Sequence, residues 1–201
     1  MGVSISWVAV SGEEPERVLK KLGLARTGEF EELEELPKSY LTCATLPAIS
    51  SPGATQPGPW FLIFINSIDS PLTSERVLTS LSTNCNVIKC QVEEHVMFSS
   101  ATSYANGSLV WRVEHDAQQG IRHLSATGST PPQLREIHDR FMNKQDAASG
   151  INANVDYIFE IPLALAKSIT SYQHDESDEA FEILRQEGSP IHEAKPWWKV
   201  R

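Results

Sequence analysis

Apolar and polar positions along the chain fall into short blocks separated by turn-forming residues. Residues 4–10 (SISWVAV) and 40–46 (YLTCATL) read as strands. Residues 60–65 (WFLIFI) are apolar throughout, as a strand buried on both faces must be. Three stretches carry helical spacing. Val18, Leu19 and Leu22 form one stripe. Ser11 and Glu14 stand before it as an S-x-x-E capping box, and Gly23 ends it. A second helix begins near Ser70-Pro71 and presents Val77, Leu78 and Leu81. A third has Thr130 as cap, Pro131 in its first turn, and Leu134, Ile137, Phe141 and Met142 as its apolar face. Residues 157–161 read as extended. A short apolar helix follows from Pro162, and another is expected near 178–187, ending at Gly188. Residues 47–59 form a loop with four prolines and two glycines.

The longest patterned stretch, about 87–116, predicts a long β-hairpin turning at Asn106-Gly107, a pair that tolerates the positive φ angles of a two-residue turn. With Ala105 opposite Ser108, the implied pairs are Tyr104 with Leu109, Thr102 with Trp111, Ser100 with Val113 and Phe98 with His115. Cys90, Val92, Glu94, Val96, Phe98, Trp111, Val113 and His115 then share an apolar face. Glu93, His95, Met97, Ser99, Ala101, Arg112, Glu114 and Asp116 share a polar one. A bulge would exchange the faces beyond it. Residues 120–126 are expected to add a third antiparallel strand.

The order of segments predicts an α+β fold: a largely antiparallel sheet with the hairpin at its centre and helices packed on one face. One domain over 1–201 suits this length, which can bury about 70% of its unfolded surface without a metal or disulfide. Glu16-Arg17-Val18-Leu19 and Glu75-Arg76-Val77-Leu78 match, each with a leucine three residues on. That echo raises two β-α-β-β-like halves, 1–59 and 60–126, followed by a helical part over 130–201.

Charge narrows the classes. Seventeen basic and twenty-six acidic residues give a formal net charge of -9, which disfavours nucleic acid and anionic membranes and suits a basic protein partner. Cys43, Cys85 and Cys90 make an odd, irregularly spaced set, expected to be buried reduced thiols in a cytosolic protein. No run approaches the ~20 apolar residues of a membrane helix. Gly2 and Ser6 fit a loose myristoylation pattern, but residues 3–10 read as the first strand, with acidic residues after it.

Candidate chemistry is sparse. Phosphate-loop, dinucleotide, zinc-protease and nucleophile-elbow motifs are all missing from the sequence, and neither a metal nor a cofactor is expected. Two classes of function stay open. The first is a non-catalytic acidic binding protein, for example an immunity-type protein neutralising a basic toxin or effector. Its partner-binding residues would be Glu31, Glu32, Glu34 and Glu35, the polar sheet residues Glu93, His95, Arg112, Glu114 and Asp116, and the tail pair Trp197 and Trp198. The second is a small hydrolase or lyase using Glu94, His115 and His123 as a His/carboxylate site, with His123 on the third strand opposite Glu114.

Overall fold

The most apolar segment of the chain lies at the centre of one sheet. In the computed structural model, which describes residues 2–31, 36–47, 59–148, 155–176 and 180–188, strand β4 (Trp60–Ile65) pairs antiparallel with β1 (Ser4–Ser11) and with β3 (Leu41–Leu46). All six β4 side chains are buried, hence the lack of polar alternation. The remaining strands are β2 (Leu24–Glu31), β5 (Asn86–Glu93), β6 (Phe98–Ala105), β7 (Ser108–Asp116), β8 (Ser125–Gly128) and β9 (Phe181–Gln186). Among the described residues these nine form a single antiparallel sheet in the order β2-β9-β3-β4-β1-β5-β6-β7-β8. With helices α1 (Pro15–Leu22), α2 (Glu75–Leu81), α3 (Gln133–Ala147) and α4 (Glu160–Thr170), the fold is α+β.

The helices divide between the two faces instead of sharing one. Val18 and Leu19 of α1 and Leu78 and Leu81 of α2 pack with Val8, Val10, Phe61, Ile63 and Val87. Ile137 and Phe141 of α3 and Ile161 and Leu165 of α4 pack with Trp7, Ala9, Leu62, Phe64 and Val113. β1 and β4 offer apolar side chains at both parities, so each face needs a cover. The alternation of the hairpin had suggested only one. The two matching helices lie in the same cluster. After α1 the chain runs to β2 at the sheet edge, whereas after α2 it enters β5 beside β1.

The expected hairpin is a three-stranded meander with two corrections to its register. First, the chain turns between β5 and β6, with Met97 at a φ of 51° and its N–H donating to the Glu94 carbonyl at 3.4 Å. Second, the Asn106-Gly107 turn forms as expected, and Ala105 opposes Ser108 and Tyr104 opposes Leu109. The ladder then slips at Val110, an extra residue on β7, so that Trp111 opposes Ser103, Val113 opposes Ala101 and His115 opposes Ser99. The pairs Thr102–Trp111, Ser100–Val113 and Phe98–His115 do not form. The bulged Val110 carbonyl accepts from Ser129 N at 2.9 Å. Gly128, at a φ of 77°, passes so close that an added Cβ would lie 2.2 Å from the Val110 carbonyl oxygen.

Four further segments differ from expectation. Ser11 ends β1 as a buried residue, so no capping box forms and Glu14 caps α1 without a side-chain bond. The start of the acidic run belongs to β2. The segment expected as a helix near 178–187 is β9, because Glu182 is drawn inward by Arg26 of β2 and accepts from Gly28 N at 3.0 Å. The strand expected over 120–126 after the hairpin is β8 and covers only Ser125–Gly128, preceded by a 3-10 turn over Ala117–Gln119 and a second turn closed by His123 N on the Gly120 carbonyl.

Candidate functional site

The register of β5 to β8 sets up a polar surface on the α1–α2 face, beyond the reach of α1. Lys89, Thr102, Arg112 and Thr127 form one row across the four strands. Gln91, Ser100, Glu114 and Ser125 form the next, and Glu93, Phe98 and Asp116 the last. With strands about 4.8 Å apart, Glu93 and Asp116 stand about 10 Å from each other, and Glu114 lies diagonal to Asp116. All three carboxylates are only partly buried. Ser100 and Thr102 occupy the face expected for Ser99 and Ala101, because the β5–β6 turn resets the alternation.

Local bonds hold this end of the sheet ionised. The Ser4 hydroxyl donates to Glu93 Oε2 at 2.5 Å, and the His95 ring sits 2.6 Å from Glu93 Oε1. The Ser4 bond is the larger cause of a carboxyl held below its ordinary range, and His95 adds to it. Asp116 is lowered chiefly by the Gln119 amide, then by Gln118 N–H and by the charges of His123 and His115. The α2 end of the same face is basic. Arg112 approaches Glu75 at 3.5 Å, and burial followed by the Arg112 charge lowers the Lys89 ammonium.

Glu93, Arg112, Glu114 and Asp116 are therefore brought together, with His95 on the adjoining turn. Glu31 is not among them. It closes β2 at the opposite edge of the sheet, where its two oxygens accept from Lys38 N and Ser39 N at 2.8 Å. Glu32, Glu34, Glu35, Trp197 and Trp198 lie outside the described residues.

His115 is engaged at both ring nitrogens. It is fully buried on the α3–α4 face of β7. Its Nδ1 donates to the His123 carbonyl at 2.7 Å, and its Nε2 meets Asp156 Oδ2 at 2.9 Å. A carbonyl only accepts, so Nδ1 carries a proton. Burial works against the charged ring, but the Asp156 carboxylate and the His123 carbonyl outweigh it, and the pKa is raised. Asp156 turns its other oxygen to Ile158 N and Phe159 N at 3.0 and 3.2 Å, starting the turn that leads into α4. The unit ties β7, the 117–124 loop and the start of α4 together.

Of the three residues of the hydrolase reading, His115 and His123 are neighbours, their ring centroids 6.4 Å apart, while Glu94 makes no hydrogen bond to either among the described residues. His123 lies in the loop, not on a strand. Ser125 opposes Glu114, and His123 Nδ1 accepts from Asp116 N at 3.0 Å. Glu94 sits in the β5–β6 turn and accepts from Val3 N at 2.9 Å. The partner of His115 is Asp156, which sequence reasoning missed. Its signal was an aspartate just before an apolar helical run, the usual place for a cap.

The three cysteines and His174 are buried. Cys43, Cys85 and Cys90 are free thiols. Burial raises all three, Cys43 to about 11. His174 is 6% exposed and its Nδ1 has no hydrogen-bond partner among the described residues. Burial lowers its pKa. Glu160 is raised by burial and then by Asp175, Glu176 and Glu94. No group of three or more His, Cys, Asp or Glu among the described residues has an arrangement that could hold a metal ion. None of their helices is long and apolar enough to cross a membrane.

No family model, curated protein or solved structure matches this chain. Its function is therefore argued from this geometry alone.

Proposed function

We propose that the chain is a non-catalytic protein that binds a basic protein partner through the acidic end of its polar sheet face. An immunity-type protein that neutralises a basic toxin or effector in the cytosol is its concrete form. The observation that carries this reading is the placement of Glu93, Glu114 and Asp116 together on a strand-held surface, two of them kept ionised by local hydrogen bonds. A net charge of -9 extends the attraction beyond the contact area. Strands hold these carboxylates in place before binding, so little ordering is needed at the interface. The buried reduced thiols suit a reducing compartment. The hydrolase or lyase reading draws less support, because both ring nitrogens of His115 are engaged in structural bonds.

The experiment is affinity capture from the native host followed by association kinetics with the recovered basic protein. Glu93→Lys and Glu114→Lys together should slow association by about tenfold at low salt, and salt alone should slow the unaltered protein. Rates indifferent to both would remove the electrostatic argument.

A further inference from the structure

Residues 117–124 join β7 to β8, and none of them is buried. Leu124 packs partly against the core. Elsewhere the contacts that hold this loop are hydrogen bonds and one ion pair. Ala117 N donates to the Met97 carbonyl at 3.1 Å, and Arg122 pairs with Asp146 of α3. The His123 carbonyl accepts from His115 Nδ1 at 2.7 Å, and the His123 ring accepts from Asp116 N at 3.0 Å through its own Nδ1. The last bond differs from the others. It exists only while His123 Nδ1 is bare, with the ring neutral and its proton on Nε2. A charged imidazole donates at both nitrogens, so the Asp116 N–H would then face a second donor.

We propose that the 117–124 loop is a proton-sensitive latch: a neutral His123 ring fastens it to the end of β7, and protonation of that ring releases it. The charges around the ring pull in opposite directions. Asp116 of β7 is close enough to feel a charged His123, and its carboxylate favours the protonated ring. His115, on the same strand with its ring centroid 6.4 Å away, opposes a second charge, but Asp156 ahead of α4 neutralises it from the other side. Arg122 in the loop is engaged by Asp146 of α3. Protonation thus exchanges the bond to Asp116 N for attraction to the Asp116 carboxylate. β8 is held separately, by its pairs with β7 and by Ser129 N on the Val110 carbonyl, so the opening stays within the loop. Release withdraws the His123 carbonyl from His115 and lets water reach the His115–Asp156 pair, which is otherwise covered. This device does not rest on the binding role proposed for the sheet face.

The test uses the full chain labelled with ¹³C and ¹⁵N, titrated from about pH 8 to about pH 5, the range in which histidines change charge. The ring carbons follow His123 and His115 separately. As the His123 ring gains its proton, protection of the Asp116 amide, corrected for the intrinsic exchange rate, should fall about tenfold, as for the loss of one hydrogen bond. Amides of 117–123 should shift with the same midpoint, and protection in β4 should hold. His123→Asn carries an acceptor oxygen in place of Nδ1 and cannot titrate, so its loop should be indifferent to pH over this range, whether closed or open. The proposal is overturned if Asp116 keeps its protection through the His123 titration, if it follows His115 instead, or if β4 loses protection with it. It is equally overturned if His123→Asn responds to pH as the unaltered chain does.

Discussion

Asp156→Asn separates a structural His115 from a catalytic one. In the folded protein the ring is fully buried and the Asp156 side chain is 9% exposed, so water screens their pairing little. Removing one partner of a buried ion pair costs about 3–5 kcal/mol, because the other charge is stranded. Asparagine keeps an oxygen for Ile158 N and Phe159 N, so the cap at the start of the turn survives. The stranded ring can also shed its proton, which argues for the lower end, about 3 kcal/mol. Once neutral, it keeps its Nδ1 bond to the His123 carbonyl, and its bare Nε2 can no longer donate to Asp156 in the native protein either, so the difference should vanish. The pH dependence follows from the direction of the shift. The His115 pKa is raised on folding, so its stabilisation is complete below the unfolded value of about 6.5 and fades as pH rises through the folded pKa. Urea denaturation followed by tryptophan fluorescence should therefore show a gap of about 3 kcal/mol near pH 6, closing as the buffer turns alkaline. A gap that stays constant or widens with pH would mean that the native ring is neutral, and the buried ion pair would be discarded.

Trp111→Ala should cost about 3–5 kcal/mol, since the indole is 4% exposed within the α3–α4 core; a loss below ~1 kcal/mol in the same urea assay would place it outside that core. Gly128→Val should destabilise by at least about 2 kcal/mol and abolish amide-exchange protection across β8, because its φ of 77° and the Val110 carbonyl both exclude a Cβ. Unchanged protection would refute the close crossing at the bulge. His174→Leu should act with the opposite pH sign to Asp156→Asn. A histidine whose pKa is lowered on folding stabilises above about 6.5 and loses that contribution as pH falls, so the variant should lose less stability on acidification, and an equal loss in both proteins would count against a buried neutral His174.

The elements that were legible in the sequence are those whose signal is local. The apolar run of β4, the Gly23 stop and the Asn106-Gly107 turn each depend on a few adjacent residues, and each appears where expected. What was illegible depends on partners far along the chain. The slip at Val110 is fixed by Gly128 and Ser129 closing on its carbonyl, which no pattern within 98–116 encodes. β9 carries a buried Glu182 that Arg26 and the Gly28 N–H, both on another strand, make tolerable, so its spacing read as helical. The candidate sites divide in the same way. Arg112, Glu114 and Asp116 kept their common face because they lie beyond the slip and alternate without interruption. The His115 site was misread because its acid is Asp156, a residue just before the segment read as extended and far along the chain.

The two covers of the sheet also bear on where a partner can bind. Helix α4 lies over β5, β6 and β7 on one side with α3 packed against it, and His115 with Asp156 pins that side shut. On the other side, α1 and α2 meet the apolar residues of β1, β4 and the Val87 end of β5, and the surface turns polar where those contacts stop. Ser100 and Thr102 are buried there under longer neighbours, small residues that let Gln91, Arg112 and Glu114 lie across the strands. A sheet needing only stability would carry apolar residues and another helix at this place. Here it carries ionised carboxylates whose geometry is set by strand pairing and whose charge is kept by Ser4, Gln119 and the neighbouring backbone. Rigid, charged and partly exposed groups speed the encounter with an oppositely charged surface and lose little freedom when it arrives. This half of the face is therefore where charge reversal should change association while leaving the fold intact.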